Sequence, residues 1–390
     1  MKRNFLKLTV GMFLSLGVIS ANAQTPEPIN VVTTAVPFLR ISPDARAGAM
    51  GDLGVATSPD ANAPFWNLAK VPFAQKNFSV GLTYTPWLKD LGLNDVYLLA
   101  ASGYYKLDED AALAASVRYF SLGNIQFTDA GGNELGSGRP REFSVDAGYS
   151  RKLSDKIGLG IALRYIHSNL ASGAASSGTT YKPGSTFAGD LTFFYTGQDE
   201  AGQGWNFGAT LTNLGGKIGY TNDATQKDYI PANLSLGTTY TKAFDEQNKI
   251  TFGVDIHKLL VPTPPSFDQN DSAIANQQAA NYRNKNTVSS WFSSFNDAPG
   301  GFKEEIKEFS ASLGAEYNYS DQFFFRAGYF YENKDKGNRK YFTVGLGVKY
   351  NVFGLNFSYL VPSGSGVNRN PLSNTLRFGL IFDLDDINAE

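Results

Sequence analysis

The chain has 390 residues, no cysteine, and 36 acidic against 34 basic side chains, for a formal charge of −2. A balance this even offers no basic surface for a nucleic acid, and the missing cysteines exclude a disulfide framework, a thiolate metal site and a lipid-carrying cysteine. What stands out is 29 Phe, 20 Tyr and 40 Gly beside 18% charged residues.

Lys2, Arg3 and Lys7 lead into the apolar run LTVGMFLSLGVIS, and Ala21-Asn22-Ala23 supplies small residues for cleavage, so residues 1–23 read as a secretory signal peptide. No later apolar stretch approaches the roughly 18 residues of a membrane-spanning helix. An exported, aromatic-rich and glycine-rich chain without such helices is predicted to be an outer-membrane β-barrel, because lipid admits only helices and closed barrels.

Residues 24–75 form the next unit, dominated by SPDARAGAMGDLGVATSPDANAPFWN over 42–67. Gly48, Gly51 and Gly54 are spaced G-x-x-G-x-x-G, with no G-K-[ST] and no preceding strand, which is not a phosphate loop.

From residue 76 to 390 the sequence alternates with period two. Phe143, Val145, Ala147 and Tyr149 oppose Ser144, Asp146, Gly148 and Ser150, and Phe342, Val344, Leu346 and Val348 oppose Thr343, Gly345, Gly347 and Lys349. Carrying that parity along predicts fourteen antiparallel strands, starting near Phe78, Val96, Ala112, Arg141, Ile157, Thr186, Trp205, Asn233, Ile250, Phe309, Phe323, Tyr341, Gly354 and Thr375. The polar face is mostly Gly, Ala, Ser and Thr, unlike the charge-rich outer face of a soluble sandwich. Its charges, Arg118, Arg164, Arg326, Lys349 and Arg377 against Asp146, Asp190, Asp255, Glu316 and Asp383, predict an internally neutralised lumen. Short connections such as KLDED, KLSDK, FDEQN and NYSDQ alternate with longer ones over 123–140, 168–185, 215–231, 261–308 and 362–374. That places the short turns in the periplasm and the long loops outside.

With a lumen lined by small residues, the 24–75 segment is predicted to fold as a plug at the periplasmic entry. Asp44, Arg46, Asp52 and Asp60 are expected to pair with Arg118, Arg164, Arg326 and Arg377, while Phe65 and Trp66 anchor its end.

Chemistry-bearing motifs are sparse. The two histidines, His167 and His257, form no ligand pair, and DLDD and FDQND miss the EF-hand spacing, so no metal or cofactor site is expected. An acyl hydrolase facing the outer leaflet would need Ser beside His; His167 and Ser168 are strand neighbours and point to opposite faces. In the 261–308 loop, the stiff VPTPP is followed by TVSSWFSSF, where Val288, Trp291, Phe292 and Phe295 fall at i, i+3, i+4 and i+7 of a short helix stopped by APGG. Such a stripe must fold onto its own barrel, lie in the lipid interface, cover a ligand path or dock a partner.

FLRISPDARAGAMGDLGVATSPDANAPFWNLAKVPF, over 38–73, resembles the N-terminal signature of the PorV/PorQ family of Bacteroidota outer-membrane proteins, and the strand pattern and long ninth connection extend the likeness over nearly the whole chain after residue 23. The resemblance implies a FadL-like barrel with a lumen-plugging N-terminal segment, in the outer membrane with its lipid and lipopolysaccharide. It also implies a non-enzymatic role in type IX secretion: binding the C-terminal domain of exported cargo beside the large translocon barrel, then passing it to a surface attachment complex with a sortase-like subunit. The alternative is a FadL-like transporter of hydrophobic small molecules, with which inward charges fit poorly.

Overall fold

The structure is a computed structural model and describes residues 30–384 except 129–130, 172–174, 177–178, 224–225, 266–271, 362–371 and 373. The signal peptide with its cleavage site, the FDQND motif and the last six residues lie outside the described residues.

Fourteen antiparallel strands close into one barrel. They are β1 Phe78–Pro86, β2 Val96–Lys106, β3 Ala111–Leu122, β4 Arg141–Ser154, β5 Ile157–Asn169, β6 Gly184–Thr196 and β7 Gly204–Gly215, followed by β8 Asn233–Ala243, β9 Asn248–Leu259, β10 Phe309–Tyr319, β11 Phe323–Tyr331, β12 Lys340–Tyr350, β13 Phe353–Val361 and β14 Leu376–Leu384. Each strand pairs with its sequence neighbours, and β14 closes on β1 with Phe78 opposite Leu384 and Tyr84 opposite Phe378. No edge is left unpaired, which is the condition for crossing lipid with strands. Among the described residues no helix is long and apolar enough to do so.

The period-two pattern sorts the faces as the sequence predicts. Leu82, Val117, Val145, Leu163, Leu191, Leu236, Val254, Leu313, Val344 and Leu355 are exposed on the outside. At the long-loop end they are flanked by Tyr84, Tyr97, Tyr119, Phe143, Tyr165 and Phe187, whose rings contact one another from strand to strand. At the short-turn end Tyr195, Phe207, Trp205 and Tyr240 do the same. Two aromatic girdles around an aliphatic band match the layers of an outer membrane. Inside, Arg118, Arg164, Arg326, Arg377, Asp146, Asp190, Asp255 and Glu316 are all buried.

The long loops carry structure of their own. One holds a small hairpin, Ile125–Thr128 with Glu134–Gly138. The 261–308 loop holds three helices rather than the single one expected: α3 Ser272–Asn284, α4 Thr287–Ser293 and α5 Phe302–Lys307. The first was missed because SAIANQQAANYRN is polar all round and has no buried residue, so it shows no apolar stripe.

Candidate functional site

The N-terminal segment is built from a 3-10 turn at Pro37–Arg40, two short helices, α1 Ala45–Ala49 and α2 Ala63–Trp66, and a 3-10 helix at Leu68–Phe73. It touches inward-facing groups from many directions, as a segment within a closed barrel does. Gly51 N–H donates to Thr343 Oγ1 at 2.8 Å, the Gly54 and Val55 amides donate to Asp255 Oδ2 at 2.8 and 2.9 Å, and the Ala69 amide donates to Thr192 Oγ1 at 3.1 Å. Thr239 Oγ1 donates to the Ala56 carbonyl at 2.9 Å, and Asn67 Nδ2 donates to the Phe193 carbonyl at 2.8 Å. Wall residues on β6, β8, β9 and β12 thus satisfy a backbone too irregular to satisfy itself.

Of the pairs expected from sequence, the described residues form one, Asp52 with Arg377; the other charged residues of the segment meet different partners. Among the described residues Asp44 forms no salt bridge: its Oδ1 caps the first helix by accepting from Ala47 N at 2.9 Å, and its Oδ2 accepts from Trp66 Nε1 at 2.5 Å. Arg46 grips Glu316 with two hydrogen bonds, at 3.0 and 2.8 Å, and reaches Asp60 at 3.0 Å. Glu316 also takes Arg326 Nε at 2.6 Å, so one wall carboxylate serves two guanidiniums. Asp52 accepts from Tyr341 OH at 2.6 Å and lies 3.8 Å from Arg377. Arg164 is held by Asp146, Asp190 and Asn213 within the wall. Arg118 donates to the Leu39 carbonyl at 2.9 Å and stacks 4.8 Å over the Phe65 ring. Parity identified the inward charges but not their mates, because strand tilt and the path of the segment decide which of them meet.

Lys70 is a buried cation that no motif singled out. Its Nζ donates to the Gly54 carbonyl at 2.7 Å and to Thr57 Oγ1 at 3.0 Å, and burial pulls the ammonium down to about 8.

The first described part of the segment is not at the periplasmic entry. Asn30 Nδ2 donates to the Pro264 carbonyl and to Glu304 in the long ninth connection, Ala35 N–H donates to the Tyr229 carbonyl, and Arg40 pairs with Glu332 at 3.1 Å. Residues 30–41 therefore sit at the long-loop end. Val36, Phe38 and Leu39 pack there with Leu98, Phe120 and Ile166, whose side chains point inward at the outer ends of their strands. From that end the chain descends through the lumen to β1 at the short-turn end. Two cavities flank it, about 150 Å³ on the long-loop side and about 320 Å³ on the short-turn side, and no residue lines both.

The α4 helix has its faces reversed relative to a helix covering its own protein. Ser290 and Ser294 are fully buried, whereas Val288, Phe292 and Phe295 are 52%, 76% and 43% exposed and Trp291 is half-buried. Phe295 lies just beyond the helix, its ring 5.6 Å from Lys258 Nζ. Phe302 and Ile306 of α5 add to the exposed apolar surface. Beneath it, Lys258 bridges Glu305 and Glu308 at 2.8 Å each, and Lys336 bonds Glu304 and Glu308, a rim network for which the sequence offers no motif.

Ser168 Oγ is buried and donates to Glu142, while His167 meets Ser185 across the strand pair, Nδ1 to Oγ at 2.9 Å. Cross-strand register, invisible in sequence neighbours, supplies that contact. His257 hydrogen-bonds Ser235 at 2.9 Å. Among the described residues no three His, Asp or Glu side chains converge as metal ligands would.

A closed barrel with two aromatic girdles, a charged and internally paired lumen and long structured loops at one end defines an outer-membrane β-barrel protein. The family model described as type IX secretion system protein PorV matches residues 23–266, and the chain belongs to that family as an outer-membrane component of type IX secretion. Among solved structures it is similar in fold to the P. putida toluene transporter TodX, with a TM-score of 0.53 and 12% identity over 88% of this chain and 99% of that one. It is likewise similar to the CymD monoaromatic hydrocarbon channel, with a TM-score of 0.51 and 12% identity over 88% and 98%. No curated protein sequence gives a significant match.

Proposed function

We propose that the protein is a non-enzymatic carrier of secretion cargo: it binds the C-terminal domain of an exported protein at its long-loop end, beside the large translocon barrel. From there it delivers the cargo to the surface attachment complex with its sortase-like subunit, while residues 30–74 act as the plug that keeps the lumen shut. The observation that carries this reading is the exposed apolar surface of Val288, Phe292 and Phe295, with Trp291 half-buried beside them, on a segment whose buried side is Ser290 and Ser294. A helix evolved to cover its own barrel would bury the stripe; an exposed aromatic patch rimmed by charge suits a partner. In the pair variant Trp291→Ser with Phe295→Ser, capture of a cargo C-terminal domain should be lost while the barrel still folds to its heat-modifiable form. Undiminished capture would sink the docking role.

The fold likeness to TodX and CymD favours a second reading, transport of hydrophobic small molecules. Against it, Arg40, Arg118, Arg164 and Arg339 line the outer cavity and Arg46, Glu316, Arg326 and Asp383 the inner one, a poor path for an apolar solute. Purification from native membranes separates the two: a stoichiometric giant barrel or cargo supports the carrier, and bound apolar ligand without a protein partner supports transport.

A further inference from the structure

The outer cavity holds more positive than negative charge. Arg40, Arg118, Arg164, Lys336 and Arg339 line it, against Asp52, Glu308 and Glu332. Arg164 is matched by Asp146 and Asp190 behind it, and Lys336 by Glu304 and Glu308. Arg40 and Arg339, however, share the single carboxylate of Glu332, at 3.1 and 2.8 Å. Burial and the neighbouring Arg339 charge pull the Arg40 guanidinium down to about 10.

Arg118 forms no salt bridge among the described residues; Asp146, Asp190 and Asp44 act on its charge only at longer range. It is 4% exposed; Nη1 donates to the Leu39 carbonyl, the flat of the guanidinium rests on Phe65, and Nε is buried without a hydrogen-bond partner. A buried guanidinium with no carboxylate in direct contact is costly, and such groups are ordinarily paired. The planar fork of an arginine fits the two oxygens of a carboxylate or phosphate.

We infer that the outer lumen cavity is an oxyanion site, in which Arg118, assisted by Arg40, receives a carboxylate or phosphate group entering from the long-loop end. The cavity, about 150 Å³, is large enough for such a group. The inference stands independently of the cargo stripe on α4, which lies on the outside of the loop.

The test uses the full chain folded in detergent, titrated calorimetrically at constant ionic strength with sodium phosphate, sodium acetate and a short peptide bearing either a free or an amidated C-terminus, against a chloride control. Saturable binding of at least one oxyanion to the wild type, weakened roughly tenfold or more in Arg118→Gln, supports the site. Binding of the free-acid peptide but not its amide assigns the group to a chain terminus, and binding of phosphate alone assigns it to free phosphate. Absence of saturable binding in the wild type overturns the inference, as does undiminished affinity in Arg118→Gln. Should that variant fail to fold, Arg40→Gln at the more accessible rim carries the test: weaker oxyanion binding supports the site and unchanged binding overturns it.

Discussion

Arg46 shows what a single buried residue does in this lumen. Its guanidinium is clamped by Glu316 and Asp60, and Glu316 in turn holds Arg326. Replacing Glu316 by Ala leaves two buried guanidiniums without their shared carboxylate, a loss of roughly 3–5 kcal/mol. The temperature at which the folded barrel band disappears on a gel should fall markedly; an unmoved transition would show that the cluster is solvated. Lys70 gives a pH signature. Burial lowers its ammonium from 10.5 to about 8, so between those values the unfolded chain holds a proton that the folded one has lost. Stability then rises with pH across that window, by up to roughly 3 kcal/mol. The wild type should gain on Lys70→Met between pH 8 and pH 10.5, and parallel curves would contradict the buried cation. Neither residue was legible as an interaction in the sequence: Arg46 was expected to help the segment pair with wall arginines, and its real mates are carboxylates on the wall and on the segment itself.

At the scale of elements, the strands and the N-terminal segment were read on different terms. Period two marks a strand whatever it packs against, and the fourteen predicted starts fall within two residues of those observed. The segment has no period, and its fit depends on close approach. Gly51 has φ of +70° and lies so near the backbone of Tyr329 that an added Cβ would sit 2.7 Å from it. Gly51→Ala therefore meets both a strained backbone and a rigid wall, at a cost above about 1 kcal/mol. Its consequence should be local: faster cleavage between Arg40 and Lys70 by protease added from the periplasmic side, with the strands intact. A cleavage rate equal to wild type would mean that the segment is not held by this contact. For α4, periodicity supplied the helix and its stripe, but a helical wheel cannot say which face meets the protein. The buried serines decided that.

For the molecule as a whole, the consequence of two cavities separated by the N-terminal segment is electrical. Reconstituted into planar bilayers, the wild type should carry no sustained ionic current, since the segment and its paired charges occupy the lumen between them. Steady open-pore conductance would refute the plug. Residues 30–41 contact the loops at the outer end while β1 begins at the other, so the segment runs the length of the lumen.

The sequence by itself determined the class of architecture: alternation sets strand number and faces, loop lengths set the asymmetry of the ends, and composition excludes helical spans, because all three are local or additive properties. The signature over 38–73 pointed to the family through residue identity. Only the tertiary structure decided which carboxylate meets which guanidinium, that His167 meets Ser185 and not Ser168, that residues 30–41 sit at the outer end, and that Arg118 has no carboxylate in direct contact among the described residues. Those depend on register between strands and on the path of an aperiodic chain through a closed space, where contacts join residues hundreds of positions apart and no local pattern records them.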